Sequence, residues 1–322
     1  MSTTTFLTPV QEQIYLVEER MRAQANEEHH PDLRAALNHL ISAGGKRVRP
    51  TVVLLVGNML GAPPERLIAL GAAIEMLHTA TLVHDDLIDG ALLRRGIPTL
   101  NSQWSPAATV LTGDFIFARA AKLAAETDSV AVMKHFAETL AIMVNGELAQ
   151  MFDARGIYDR THYYKRIYAK TGSLFELASH AAALLCDVGT DVRERMRQYG
   201  YNIGMAFQIV DDILDFVGDT ATLGKPAGSD LLNGLVTLPA LYYIEANPDD
   251  PNVRLLAKGE YHNTARMKEL IESIRHSEAI RQSLDEAGQF TRRALEALAD
   301  LPTGVERQAL EDLAHYIIER HV

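Results

Sequence analysis

Apolar residues recur at three- and four-residue spacing along almost the whole chain, as in Leu33, Leu37, Leu40 and Ile41, or Leu174, Leu177, Ala178 and Ala181. That spacing is the period of an amphipathic α-helix, and strand-like alternation is scarce. The residues that break helices are gathered into clusters: AGGKRVRP at 43–50, GAPPE at 61–65, RRGIPTLNSQWSP at 94–106, GDTATLGKPAGSD at 218–230 and NPDDPN at 247–252. Between them lie helices, many longer than the usual three turns. The pattern predicts an all-α chain of roughly ten or more helices. Residues 245–265 read as a loop before two terminal helices, near 265–298 and 304–320.

With 322 residues, 47% of them hydrophobic, the chain can bury a large core. No Pro/Gly/Ser-rich linker or abrupt change of composition interrupts the first 245 residues, so a single domain over 1–322 is expected. A formal charge of -11 argues against a nucleic-acid surface, although an acidic total can hide a local basic pocket that receives an anion. One cysteine, Cys186, excludes an internal disulfide, and MSTTTFLTPVQEQ lacks the layout of a signal peptide. Continuous apolar runs such as VVLLV fall far below the ~20 residues that cross a bilayer. A cytoplasmic protein without a transmembrane segment is expected, with peripheral membrane contact left open.

Two short stretches set aspartates inside apolar sequence: TLVHDDLIDG at 81–90 and IVDDILDF at 209–216. On a helix, Asp85 and Asp89 project from one face while Asp86 sits about 100° round. His78 falls on the same face two turns earlier. Asp211 and Asp215 repeat the relation, with Gln208 one turn back. Like charges four residues apart repel, the more so beside apolar surface, unless a cation joins them. Carboxylates without His or Cys partners suit Mg²⁺, a hard ion that usually shares its shell with water and substrate phosphates. One copy alone would read equally well as a solvated acidic helix face; two copies favour a metal site.

Cations to neutralise phosphate oxygens stand in three clusters. GGKRVRP carries Lys46, Arg47 and Arg49, LLRRGIP carries Arg94 and Arg95, and GKPAG carries Lys225. Lys170 and Thr171 in YAKTGSLFE form a fourth, where Gly172 and Ser173 should loosen the helix and expose nearby carbonyls and a hydroxyl. Any one of these reads singly as a solvated turn; together, in an acidic chain, they read as an anion pocket.

The residues resemble the trans-isoprenyl diphosphate synthases of the all-α isoprenoid synthase fold. The resemblance runs in family order through GGKRVRP, HTATLVHDDLID, RRGIPTLN, LTGDFIFARA, GELAQ, KTGSLFE, FQIVDDILD and GKPAGSDL, covering roughly residues 40–240. It implies head-to-tail addition of isopentenyl diphosphate to an allylic diphosphate, with release of pyrophosphate and formation of an E double bond. By the same resemblance Asp85, Asp89 and Asp211 are the main ligands of about three Mg²⁺ ions, with Asp86 and Asp215 behind them. Arg94, Lys170 and Lys225 resemble contacts to the allylic diphosphate, and Lys46, Arg49, His78 and Arg95 the isopentenyl diphosphate site. Thr171 and Gln208 resemble the polar groups beside the developing allylic cation. The family is usually homodimeric. One departure is Leu235, where many short-chain members carry a lysine in DxxxGK.

Short-chain members typically block the product tunnel with an aromatic residue four or five positions before the first aspartate; here Thr81 and Ala80 stand there. Ala80, Leu77 and Ala73 form one helical stripe, descending about 10 Å. An open upper layer predicts a product longer than C20. The alternatives are a farnesyl- or geranylgeranyl-type synthase closed below Ala80, a terpene cyclase, which would carry Asn/Ser/Glu ligands in place of DDILD, and one subunit of a two-component synthase.

Overall fold

The computed structural model describes residues 5–26, 28–42, 44–94, 96–152, 159–218 and 226–320. They are almost entirely helical, as the periodicity predicts. In chain order come α1 (Gln11–Arg22), α2 (Pro31–Ser42), α3 (Val48–Leu60), α4 (Pro64–Ile88), the two-residue strands β1 (Leu93–Arg94) and β2 (Ile97–Pro98), a short α5 (Leu100–Gln103), α6 (Pro106–Ala125), α7 (Val130–Phe152) and α8 (Arg160–Ile167). A π-helical turn, Tyr168–Gly172, leads into α9 (Ser173–Leu184), followed by α10 (Thr190–Val217), a short α11 (Ser229–Leu232), α12 (Leu238–Ala246), α13 (Pro251–Ala257), α14 (Thr264–Arg275), α15 (Ala279–Leu298) and α16 (Val305–Glu319).

Two differences from the sequence reading concern boundaries. The stretch 265–298 is two helices, separated at 276–278, where Ser277 Oγ donates to Ile274 O at 2.7 Å and accepts the Ala279 N–H at 3.2 Å. The 245–265 segment contains α13, begun by Asp250, whose side chain accepts from Asn252 N–H at 2.7 Å, with Pro251 in the first turn.

The residues group into two compact units. The first comprises Met1–Thr139, Leu174–Arg197 and Asp300–Asp312. Its centre is α4, which packs against α1, α3 and α6. Pro63 and Pro64 set α4's start, and Gly90, at φ 64°, lets the chain turn away at its end. Alanine and leucine surround this helix, and Ala72, Ala73, Ile74, Met76, Leu77 and Ala80 are fully buried. By length and hydropathy α4 would also cross a bilayer, which the short apolar runs did not suggest; 67% of its most apolar stretch is buried by protein, as in a core helix. On α6, Ser105 Oγ accepts from Ala108 N–H and Pro106 occupies the first turn. The absent side chain of Gly113 makes room there for the His84 ring.

The second unit comprises Leu140–Ser173, Gln198–Ala299 and Leu313–Val322. Here α12 packs on α8, α14 and α15. Glu286 of α15 ties these elements together, accepting from the hydroxyls of Tyr164 and Tyr242 and pairing with Arg160. Arg160 also forks onto Glu245 at 2.7 and 2.8 Å.

Candidate active site

In the first unit the aspartates of residues 81–90 lie at the C-terminal end of α4, Asp85 half-buried and Asp89 exposed. Asp86, turned inward, is 6% exposed and takes Arg94 on Oδ1, with Nε at 2.8 Å and Nη2 at 2.7 Å. Arg94 reaches it because β1 and β2 fold back on the helix end: Thr99 Oγ1 and Asn101 Nδ2 both donate to Ala91 O. An arginine read from sequence as a diphosphate contact is thus also the partner of Asp86. Arg95 and Lys225 lie outside the described residues.

Beside this end opens a cleft lined by His39, Gly44, Arg47, Glu75, His78 and Asp86. Arg47 departs from its sequence reading as a phosphate-facing cation. Its guanidinium is buried and donates to Glu75 Oε1 at 3.0 Å, Glu18 Oε1 at 2.8 Å and Ile41 O at 2.7 Å. Burial opposes its charge, but Glu75 and Glu18 more than offset that and raise its pKa. Its backbone sits at φ 47°, a left-handed conformation rare for a side-chain-bearing residue, at the entry to α3. The two remaining cations of GGKRVRP flank it: Lys46 is exposed, and Arg49 is half-buried with its guanidinium 4.8 Å from the Phe175 ring centre. Sequence reasoning missed this network; its signal was Glu75, an acid set in the apolar run AAIEMLH. Leu77 and Ala80 are fully buried, whereas Thr81 is half-buried and donates its hydroxyl to His78 O.

In the second unit the three aspartates of α10 have separate surroundings. Asp211 is half-buried and pairs with Arg320 Nη1 at 3.1 Å, the arginine also donating to Phe207 O and lying 3.9 Å from that ring's centre. Asp215 is buried and does not share an open face with Asp211. It accepts from Ser229 Oγ at 2.8 Å and Asp230 N–H at 3.2 Å, fastening the chain that returns at 228–230. Asp212, also buried, accepts from the Tyr163 hydroxyl and from Gln208 Nε2, each at 2.8 Å. Burial, aided by the Asp230 charge, pushes its pKa up to about 7 against the opposing hydrogen bonds.

The predicted loosening around Gly172 takes the form of the π turn Tyr168–Gly172. It leaves Lys170 exposed and Thr171 buried, with Thr171 Oγ1 donating to Gln208 Oε1 at 2.5 Å. Two residues read together from the sequence are therefore in direct contact.

Among the described residues no group of three or more His, Cys, Asp or Glu side chains is arranged to hold a metal. The donors on offer are carboxylate oxygens: in the first unit those of Asp85 and Asp89, and in the second unit that of Asp211. Each of these, taken by itself, fits a hard divalent ion that takes one or two carboxylates and completes its shell with water and phosphate, and neither fits an all-protein cage.

The almost entirely helical chain and its likeness to solved polyprenyl synthases place it in the class of all-helical proteins with the isoprenoid synthase fold. Within that class the chain belongs to the polyprenyl synthetase family, whose sequence profile matches residues 30–274. It is 40% identical over 288 residues to the all-trans-nonaprenyl-diphosphate synthase (geranyl-diphosphate specific) of Rhodobacter capsulatus, covering 88% of this chain and 87% of that one. It is 39% identical to heptaprenyl diphosphate synthase component 2 of Geobacillus stearothermophilus, covering 94% of each. The crystal structure of a Caulobacter crescentus polyprenyl synthase complexed with calcium and isoprenyl diphosphate superimposes with a TM-score of 0.90 at 35% identity, over 100% of this chain and 98% of that one.

Proposed function

We infer that this chain is a trans-prenyltransferase that adds isopentenyl diphosphate head-to-tail to an allylic diphosphate, making an all-trans polyprenyl diphosphate longer than C20. The observation that carries it is the near full-length match to heptaprenyl and nonaprenyl diphosphate synthases. The small side chain of Ala80 and the hydroxyl of Thr81, where an aromatic would stop a short product, support the same length.

Cleaving the allylic C–O bond leaves the diphosphate negative and the allyl group positive. Lys170, Arg94 and Lys225 are assigned to the allylic diphosphate, and Lys46, Arg49, His78 and Arg95 to isopentenyl diphosphate, so fixed positive charge meets the leaving group as it forms. Arg94 suits this because Asp86 holds its guanidinium at the end of α4. Asp85, Asp89 and Asp211 are assigned to Mg²⁺, about three ions with substrate bound, which supply Lewis-acid stabilisation of the diphosphate oxygens. The oxygens of Thr171 and Gln208 are assigned to the positive carbon, and the apolar stripe from Ala80 to Ala73 keeps water from it. The departing pyrophosphate serves as the base, which fits the want of a dedicated one among the assigned residues.

A homodimer in the cytoplasm completes the proposal. In its second-unit portion α7 exposes Val144 (48%), Leu148 (45%), Met151 (58%) and Phe152 (80%), one helical stripe suited to a second copy. The name of the Geobacillus relative, component 2, favours a second reading in which another chain is required.

Purified protein is incubated with Mg²⁺, labelled isopentenyl diphosphate and, separately, geranyl, farnesyl or geranylgeranyl diphosphate, and the dephosphorylated products are sized. Products beyond C20 are expected. An endpoint at C15 or C20 refutes the length, and no incorporation refutes the chain as a self-sufficient synthase.

A further inference from the structure

The second aspartate of IVDDILD, Asp212, has no place among the groups assigned to metal, diphosphate or tunnel. It is 4% exposed, and both of its oxygens have a donor: Tyr163 Oη on Oδ2 and Gln208 Nε2 on Oδ1, each at 2.8 Å. Tyr163 is itself 2% exposed, with the Arg166 guanidinium 5.5 Å from its ring centre and tethered through Nη2 to Val236 O at 2.7 Å. At the other end, Gln208 Oε1 accepts the Thr171 hydroxyl at 2.5 Å. Three hydrogen bonds thus connect a tyrosine on α8, through α10, to the π turn.

The direction of these bonds fixes an amide. With Tyr163 donating to Oδ2, Oδ1 of the ionised carboxylate is left to accept, and an accepting oxygen beside Gln208 demands the amide NH₂ on its side. Oε1 must then point away, toward Thr171. The reversed amide would set two oxygens against each other in a buried site and turn an N–H dipole toward the face that carries Oε1.

We propose that Tyr163 is a positioning residue for prenyl transfer: through Asp212 it holds the Gln208 amide with its oxygen, and not its nitrogen, toward the reacting allyl group. The inference rests on the prenyltransferase reading and deepens it, because an amide oxygen stabilises a developing carbocation whereas an amide N–H opposes it. Tyr163 touches no reacting atom and acts only through the two side chains between.

The test compares Tyr163→Phe, Gln208→Ala and the double variant in the full-length enzyme, with Mg²⁺, isopentenyl diphosphate and farnesyl diphosphate. Tyr163→Phe is expected to lower kcat about tenfold with both KM values within about twofold of wild type. On the Gln208→Ala background it should cost nothing further. An equal loss on both backgrounds, or an unchanged kcat in Tyr163→Phe, overturns the proposal. Should Tyr163→Phe fail to fold, Asp212→Asn replaces it, since an asparagine keeps the shape but lets the Gln208 amide face either way, and the same kcat loss is expected. A readout independent of turnover is exchange of the Gln208 side-chain amide protons in protein labelled with ¹⁵N-glutamine. Slow exchange in wild type that becomes fast in Tyr163→Phe or Asp212→Asn is expected, and unchanged protection overturns the relay. A wild-type enzyme that forms no product refutes the chain as a self-sufficient prenyltransferase, while the exchange measurement still decides the relay.

Discussion

Replacing Arg47 with methionine removes three hydrogen bonds at once, two of them buried, and leaves Glu75, 5% exposed, without its partner. Breaking a buried ion pair from one side costs about 3–5 kcal/mol, so denaturant unfolding should show a loss of that order. Arg47→Met with Glu75→Leu should recover most of it, because the stranded carboxylate is then gone; Glu18, half-buried at the rim, can turn to water. Two of the three proposed metal ligands predict unlike consequences. Asp85→Ala should abolish nearly all turnover and leave the helical circular dichroism unchanged. Asp211→Ala should abolish turnover too but also lower stability, since it removes the carboxylate paired with Arg320, whose side chain is 8% exposed. Retained turnover in either variant would remove that residue from the site. Thr171 and Gln208 could be read as neighbours in function from the sequence, whereas the burial of Arg47 could not, because its two carboxylates come from residues 18 and 75.

At the scale of the element, Gly146 on α7 opposes a helix-propensity argument. Alanine is favoured over glycine inside a helix by about 1 kcal/mol. Here a methyl group would overlap that of Ala169, within the π turn, where no rotation can relieve it. Overpacking of this kind costs about 1–3 kcal/mol, so Gly146→Ala should destabilise by thermal or denaturant unfolding. The histidines of α7 and α9 predict a pH effect. His135 Nδ1 lies 3.1 Å from His180 Nδ1, and burial first, then His180 and Arg197, lower the His135 pKa to about 4. The folded state therefore keeps this histidine neutral where the unfolded chain already binds a proton. Stability should fall as pH drops from about 6.5 toward 4, and His135→Gln should flatten the slope of unfolding free energy in that window. The π turn was legible as a weakness at TGS; its exact register was set by what Thr171 and Gly172 meet, Gln208 and Met205.

For the whole molecule, product length and assembly are the properties to measure. Ala80→Phe should shorten the product while leaving stability nearly unchanged if residue 80 borders an open tunnel. A long product together with a loss of about 1–3 kcal/mol would mean instead that residue 80 packs against a neighbouring helix. Leu148→Glu, on the exposed stripe of α7, should convert a particle of twice the chain mass to a monomer in sedimentation equilibrium; an unchanged mass would exclude this stripe as the subunit contact. The sequence by itself determined the all-α class, since a 3.6-residue period and clustered breakers admit little else, and it marked the aspartate and basic motifs, since charges set in apolar sequence require a partner. Only the tertiary structure decided which charges are already satisfied. Arg47 belongs to Glu18 and Glu75, Asp86 to Arg94, Asp215 to the chain at 229–230, and Asp212 to Tyr163 and Gln208. Helical spacing says which side a residue faces, but the partner that neutralises it comes from residues far along the chain, whose approach is fixed by packing and not by local period.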